Sequence, residues 1–163
     1  MWEFIFYLAA GIAVISTLMV ITRLNAVHAL LYLIALLLAV AVIFFVLGAP
    51  LVAMLEVIIY AGAIMVLFIF VIMMLNLGPH AIEAERQLLS PRMFIGPVVL
   101  VAILAAVTLY ALSLPRGVTG DVAVSPREVG LSLYGTYLLG VELASLLLFT
   151  GLIGAYHLAR RII

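Results

Sequence analysis

Apolar residues run along the chain in five long stretches, which are separated by short polar or turn-forming breaks. The stretches cover residues 2–21, 27–47, 51–75, 94–114 and 134–158. Each is about as long as the roughly 20 apolar residues that an α-helix needs to cross the hydrocarbon core of a bilayer. The runs are continuous rather than alternating over about ten residues, which excludes a membrane β-barrel. The pattern therefore predicts one all-α membrane domain over residues 1–163 with five transmembrane helices, which we number as spans one to five.

The breaks between the spans predict how the helices are connected. The break between spans two and three, Gly48-Ala49-Pro50, is short and uncharged, which predicts a tight antiparallel hairpin. Residues 115–130 are interpreted as a loop before span five. Within the longer breaks, residues 81–89 could form a short amphipathic helix and residues 118–122 a small hairpin, with an ordinary solvated loop as the simpler interpretation of each.

The basic residues predict the orientation in the membrane. All seven are arginines, and two of them, Arg116 and Arg127, lie in the predicted loop before span five. The other five lie on the opposite side of a five-span bundle: Arg23, Arg86, Arg92, Arg160 and Arg161. Because cytoplasmic loops carry an excess of arginine and lysine, we expect the N-terminus to be periplasmic and the C-terminus cytoplasmic.

Composition agrees with a membrane protein and excludes several functions. Of 163 residues, 69% are hydrophobic and only 9% are charged, whereas soluble domains have about 45–50% apolar and about 25% charged residues. The net charge is zero, so no basic surface is available for nucleic acid. The absence of cysteine excludes disulfides, thiolate zinc sites and iron–sulfur ligation by this chain. We therefore expect that the chain binds no metal, cofactor or redox centre.

Two carboxylates inside the spans are the strongest candidates for chemistry. Glu56 is the only charged residue between Val27 and Leu75, and Glu142 lies within span five. A charge at the bilayer centre costs about 2.5–3.5 kcal/mol on insertion scales, and such residues mark functional sites by default. We predict proton transfer for both. The structural alternative is a neutral carboxylic acid that is hydrogen-bonded between helices.

A polar stripe and a group of small residues follow Glu56 in span three. At about 100° per residue, Glu56, Tyr60, Ala63 and Leu67 lie on one face of an α-helix. The small residues 61–63 permit close helix approach, and the glycine at their centre, Gly62, is also a candidate site for a π-bulge. One inserted residue would rotate the downstream part of the span by roughly 100°. The stretch could therefore act as a switch.

Three further polar residues receive simpler interpretations. His28 and His157 lie near the ends of spans two and five, where we expect interfacial side chains rather than ligands. Ser145 follows Glu142 by three residues, a spacing that could allow a hydrogen bond near the carboxylate.

Four segments resemble the subunit J family of bacterial NADH:quinone oxidoreductase, respiratory complex I. Residues 25–33, NAVHALLYL, are similar to the start of that family's second helix, and residues 55–68, LEVIIYAGAIMVLF, to its most distinctive stretch. Residues 83–87, EAERQ, and 141–145, VELAS, also match. The resemblance covers nearly the whole chain and implies five spans with the N-terminus outside, which agrees with the arginine distribution.

The resemblance also implies a function. It implies a multi-pass subunit of the bacterial inner membrane, in a complex that passes electrons from NADH to quinone and pumps protons through its membrane arm. FMN, iron–sulfur clusters and quinone would be held by other subunits, and subunits H, A, K and N would be the neighbours. Glu56, Tyr60 and Gly62 match the family's third helix, and Glu142 matches the glutamate of its fifth. Conversion of a π-bulge to regular α-helix is proposed in the family to gate proton or water passage, and the matching stretch here is Tyr60, Ala61, Gly62, Ala63, Ile64, Met65 and Val66.

Two other classes of function remain as alternatives. A small proton-coupled multidrug antiporter would use a membrane glutamate in a self-dimer, but Glu56 is off-centre and five spans would make an awkward dimer. A pure assembly scaffold would use small residues such as Ala144, Gly151 and Ala155 only for helix packing. The energy-coupling subunit is the leading prediction.

Overall fold

A computed structural model of the protein describes residues 1–75, 91–113 and 123–160. The regular structure of these residues is helical, and five segments are long and apolar enough to cross a membrane, which confirms the predicted all-α fold with five transmembrane helices. The helices are α1 (Trp2–Thr22), α2 (Ala26–Val46), α3 (Pro50–Leu55), a π-helix (Glu56–Ile64), α4 (Met65–Leu75), α5 (Pro91–Ser113), α6 (Pro126–Leu133) and α7 (Leu138–Arg160). Together, α3, the π-helix and α4 form the third span. The orientation stays a prediction, and the segments 81–89 and 118–122 lie outside the described residues.

The described helices belong to two compact units, Met1–Ala123 and Val124–Ile163. In the first unit, α2 is the central helix, because it contacts α1, α5 and all three parts of the third span. The position of α2 makes it the surface against which the irregular third span is held.

Buried residues follow one another at spacings of three and four along α1 and at seven along α5, so each of these helices buries one face, whereas the central helix α2 is buried at additional positions. Ala9 and Ala39 are completely buried and form one cluster with Leu104. Small residues at such positions let helix backbones approach closely in a membrane. The buried positions are Ile5, Ala9, Ile12 and Ser16 in α1, His28, Leu30, Tyr32, Ala35, Ala39, Ala41 and Val46 in α2, and Pro97, Leu104 and Ala111 in α5.

The connection from α2 to the third span is a tight turn built on Gly48. Gly48 has a φ of 83°, a left-handed conformation that glycine adopts without steric cost. Its N–H donates to the Phe45 carbonyl at 3.2 Å, and the Ala49 N–H donates to the Phe44 carbonyl at 3.0 Å. These two bonds form a Schellman motif, and Pro50 then begins α3 at a position where its missing N–H is tolerated. The structure thus confirms the predicted short connection.

The second unit contains a helix that the sequence analysis missed. The prediction of a loop through Gly130 is wrong, because α6 begins at Pro126. Ser125 Oγ accepts from the Glu128 N–H at 3.2 Å, while Glu128 Oε2 accepts from the Ser125 N–H at 2.9 Å. This reciprocal capping box, together with proline at the first helical position, is a recognisable start signal. A turn over residues 134–137 follows, so the fifth transmembrane helix begins at Leu138 rather than Tyr134.

Candidate functional site

The third span contains a π-helix of nine residues, Glu56–Ile64, between two α-helical segments. In a π-helix each backbone N–H bonds to the carbonyl five residues back rather than four. Leu55 and Met65, which flank it, both have α-helical backbone angles, so the span passes through the irregularity without a break. The predicted π-bulge in span three is therefore confirmed. The predicted bounds Tyr60–Val66 are displaced, since the π-helix begins at Glu56, and Met65 and Val66 belong to α4.

The π-helix brings two buried residues of the third span onto one side. Ala53 lies before it and Met65 after it, and Met65 is only 1% exposed. In an uninterrupted α-helix these two side chains would point roughly 120° apart. A π-helix turns through roughly 80–90° per residue, which brings them to within about 40° of each other. Burial of both residues therefore depends on the π-helix.

The same change of register shortens the predicted polar stripe. At roughly 80–90° per residue, Tyr60 stays within about 40° of Glu56, but Ala63 turns about 90° or more away. Glu56 is half-buried, and Tyr60 is 49% exposed. A carboxylate and a phenol thus share one side of the π-helix, while the small residue that was expected to extend the stripe does not.

Gly62 lies where a side chain would press on the backbone of the π-helix. A Cβ atom at this position would lie 3.2 Å from the Val57 carbonyl oxygen. Such a contact is tight, and Val57 is the residue five positions earlier, the acceptor position for Gly62 in a π-helix. Glycine therefore allows the π-helical register without this contact.

An apolar cavity of about 660 Å³, which is partly open to the surface of the chain, adjoins the π-helix within the first unit. Val57 and Ile58 line it from the π-helix, and side chains of α2, α3 and α5 complete the wall. The one hydroxyl in the lining, Thr108 Oγ1, donates to the Leu104 carbonyl at 2.7 Å. The cavity offers space for apolar side chains of the third span to move.

The second candidate carboxylate, Glu142, belongs to the other unit. It is exposed on α7, and Glu56 and Glu142 are thus described in separate units. The expected hydrogen bond from Ser145 is not formed, since Ser145 Oγ donates to the Val141 carbonyl at 2.9 Å. This i−4 bond is the usual arrangement for serine within a helix.

The sequence analysis missed a polar cluster at one end of the α1–α2 packing. His28, expected at the interface, is buried, and its ring lies 5.1 Å from that of Tyr32. The Arg23 guanidinium carbon lies 5.5 Å from the centre of the same tyrosine ring. Spacings of four, three and four from His28 through Ala39 are the signal that places this histidine on the buried face. Within residues 1–75, 91–113 and 123–160, no group of three or more His, Cys, Asp or Glu side chains could hold a metal ion.

Comparison with known proteins identifies the family. The family described as NADH-ubiquinone/plastoquinone oxidoreductase chain 6 matches residues 16–158. NADH-quinone oxidoreductase subunit J of Pseudomonas aeruginosa is 56% identical, over 98% of this chain and 97% of that protein. The protein of the same name from Escherichia coli strain K12 is 53% identical over 97% and 86%, and that of Rhodobacter capsulatus is 38% identical over 97% and 81%. With its five apolar helices, the chain is a multi-pass protein of the bacterial inner membrane and belongs to the NADH-ubiquinone/plastoquinone oxidoreductase chain 6 family.

Proposed function

We propose that the chain is a membrane-arm subunit of proton-pumping NADH:quinone oxidoreductase that couples quinone reduction to proton translocation through its third span. The subunit holds no redox centre itself. FMN, iron–sulfur clusters and quinone belong to other subunits, and subunits H, A, K and N are the expected neighbours. The names and the extent of similarity of the relatives support the assignment to this enzyme.

The π-helix Glu56–Ile64 is the observation that carries the coupling role. π-Helices are rare, and the π-bulges in which they mostly occur are frequently found at functional sites. It contains Glu56 and Tyr60, the only carboxylate and the only phenol of the third span. The irregular backbone and the ionisable groups therefore occupy the same nine residues.

Conversion of the π-helix to α-helix would change what the third span presents to its neighbours. The part after the π-helix would rotate by roughly 100° relative to the part before it. Either Met65 or Ala53 would then lose its buried position, because both residues point to the same side of the span only when the π-helix is present. Val57 and Ile58 already line the cavity of about 660 Å³, which provides room for such a change. In this proposal, Glu56 and Tyr60 accept and donate the protons whose passage the rotation opens or closes.

Substitution of Gly62 tests the role of the π-helix. In Gly62→Val, the Cβ atom would contact the Val57 carbonyl oxygen at 3.2 Å and carry two further methyl groups. We expect the π register to be disfavoured, so NADH-driven quinone reduction and proton pumping fall together. NADH oxidation by the peripheral arm with an artificial electron acceptor should be unchanged. Gly11→Val is the matched control, because a Cβ at Gly11 meets nothing within 4 Å.

The outcome of this experiment is decisive only in an assembled enzyme. Normal quinone-linked pumping in a fully assembled Gly62→Val complex would refute the switch. Purification in mild detergent tests the assignment to the enzyme separately. We expect the chain to co-migrate with a very large NADH-oxidising assembly. A lone homodimer would favour the antiporter instead.

A further inference from the structure

Two buried polar atoms lie in the first unit without a hydrogen-bond partner among the described residues. They are Ser16 Oγ in α1 and His28 Nε2 in α2. Ser16 is 0% exposed and His28 is 7% exposed. Buried polar groups are almost always hydrogen-bonded, because an unpaired one carries the full penalty of desolvation. Both atoms therefore require a partner that is not a neighbouring group of the described chain.

Ser16 differs from the other hydroxyl-bearing residues of the described helices. Five of these donate to the carbonyl four residues earlier at 2.7–2.9 Å, which is the usual way for a hydroxyl to be satisfied inside a helix: Thr17, Thr22, Thr108, Ser145 and Thr150. Ser16 makes no such bond although it is the most buried of them. Its hydroxyl is therefore available to a partner outside its own helix.

The packing of α1 against α2 places the two atoms at the same end of the helix pair. The helices are joined by the short corner over residues 23–25 and pack along most of their length. Ala9 and Ala39 share one cluster, so two helical turns nearer the corner Ser16 comes level with Tyr32. His28 lies one turn beyond Tyr32 on the same face, with the rings 5.1 Å apart.

We infer that Ser16 Oγ and His28 Nε2 are ligands of internal water in the core of α1, α2 and α5. Internal waters typically make two to four hydrogen bonds to buried polar groups that have no protein partner. The ligand must be small, because Ser16 itself and Ala35, which lies one turn along α2 from Tyr32, are both completely buried. Water both donates and accepts hydrogen bonds, so one or more internal waters would satisfy the hydroxyl and the imidazole nitrogen. The site belongs to α1 and α2, so it goes beyond the proposed role of the third span and stands without it.

A high-resolution density map of the assembled complex tests the inference directly. We expect ordered water about 2.7–3.2 Å from Ser16 Oγ and from His28 Nε2, the range of ordinary hydrogen bonds. A protein atom or a lipid headgroup at those positions would overturn the inference, and so would a well-resolved map without water there.

Removal of the Ser16 hydroxyl gives a second test, because the dissociation temperature of the complex should fall if the hydroxyl binds water and rise if it is unpaired. If Ser16 Oγ binds water, Ser16→Ala loses the water peak and lowers the temperature at which the assembled complex dissociates. If the hydroxyl is unpaired, its removal relieves a desolvation penalty and raises that temperature, which would contradict the inference. Thr17→Val is the matched control, because the neighbouring Thr17 hydroxyl is already satisfied by the Ala13 carbonyl at 2.8 Å. This control should keep the water peaks.

Substitution of the histidine keeps the inference testable where Ser16→Ala disturbs assembly. His28→Gln retains a polar group that can bind water, whereas His28→Leu does not. We expect the water peak beside residue 28 to persist in the first variant and to vanish in the second. Persistence of the peak in His28→Leu would show that the imidazole is not its ligand.

Discussion

Met65 provides the sharpest test of the register of the third span. It is 1% exposed in the π-helical structure, and replacement of a buried methionine by alanine typically costs 2–5 kcal/mol. An α-helical third span would turn Met65 roughly 100° away from this position, so the loss falls on the π-helical form. At the lower end of the range, about 2 kcal/mol, Met65→Ala would shift the balance toward the α-helical form by about 30-fold.

The effect is measured in membrane vesicles that contain the assembled complex. We expect Met65→Ala to lower NADH-driven quinone reduction and proton uptake, and to leave NADH oxidation with an artificial acceptor unchanged. Val66→Ala is the matched control, because the adjacent Val66 side chain is 56% exposed and its truncation creates no buried cavity in the chain. This variant should retain coupled activity.

A double variant separates a change of register from simple loss of packing. If Gly62→Val already converts the span to α-helix, Met65 is no longer buried, and Met65→Ala then adds little. The two effects would be strongly non-additive, as for residues that act through one structural transition. Equal effects of Met65→Ala with and without Gly62→Val would refute the reasoning, because the burial of Met65 would then not depend on the π-helix.

Two further predictions concern the packing of α5 against α2 and the two carboxylates of the spans. A Cβ at Gly96 would overlap the Tyr32 hydroxyl, so Gly96→Ala should destabilise the assembled complex by about 1–3 kcal/mol, the usual cost of overpacking. Tyr32→Phe should restore most of that loss in the double variant, as measured by the dissociation temperature. Glu56→Gln and Glu142→Gln should each lower the number of protons pumped per electron pair in vesicles. If neither variant changes that ratio, both carboxylates are structural.

The five spans could be predicted because continuous apolar runs of sufficient length have one structural solution in a bilayer. The π-helix could be anticipated from Gly62 and from the resemblance of residues 55–68 to a known family. Its bounds could not, since they depend on which residues before and after it are buried. Ala53 and Met65 are the example, because nothing in the local sequence predicts that both side chains are buried on the same side of the third span.

The burial of His28, near the start of α2, is also not determined by the local sequence alone. Its position near the end of a span predicted an interfacial side chain, but His28 is buried, and α5 approaches the neighbouring Tyr32. Close approach of α5 requires Gly96, where only hydrogen fits beside the Tyr32 hydroxyl. Packing around Tyr32, whose ring lies next to that of His28, thus depends on a residue far along the chain, which a local sequence pattern does not indicate.

The two sides of α2 differ in how tightly they are packed, and this difference bears on where a conformational change can occur. On the side that faces α1, Ala9 and Ala39 are completely buried. Interlocked helices of this kind cannot rotate without losing most of their contacts. On the other side, Val57 and Ile58 of the π-helix line a cavity of about 660 Å³, so they have room to move. A register change of the third span requires tight packing of α1 against α2 and free space beside the π-helix. The rotation of the third span then alters few contacts outside that span.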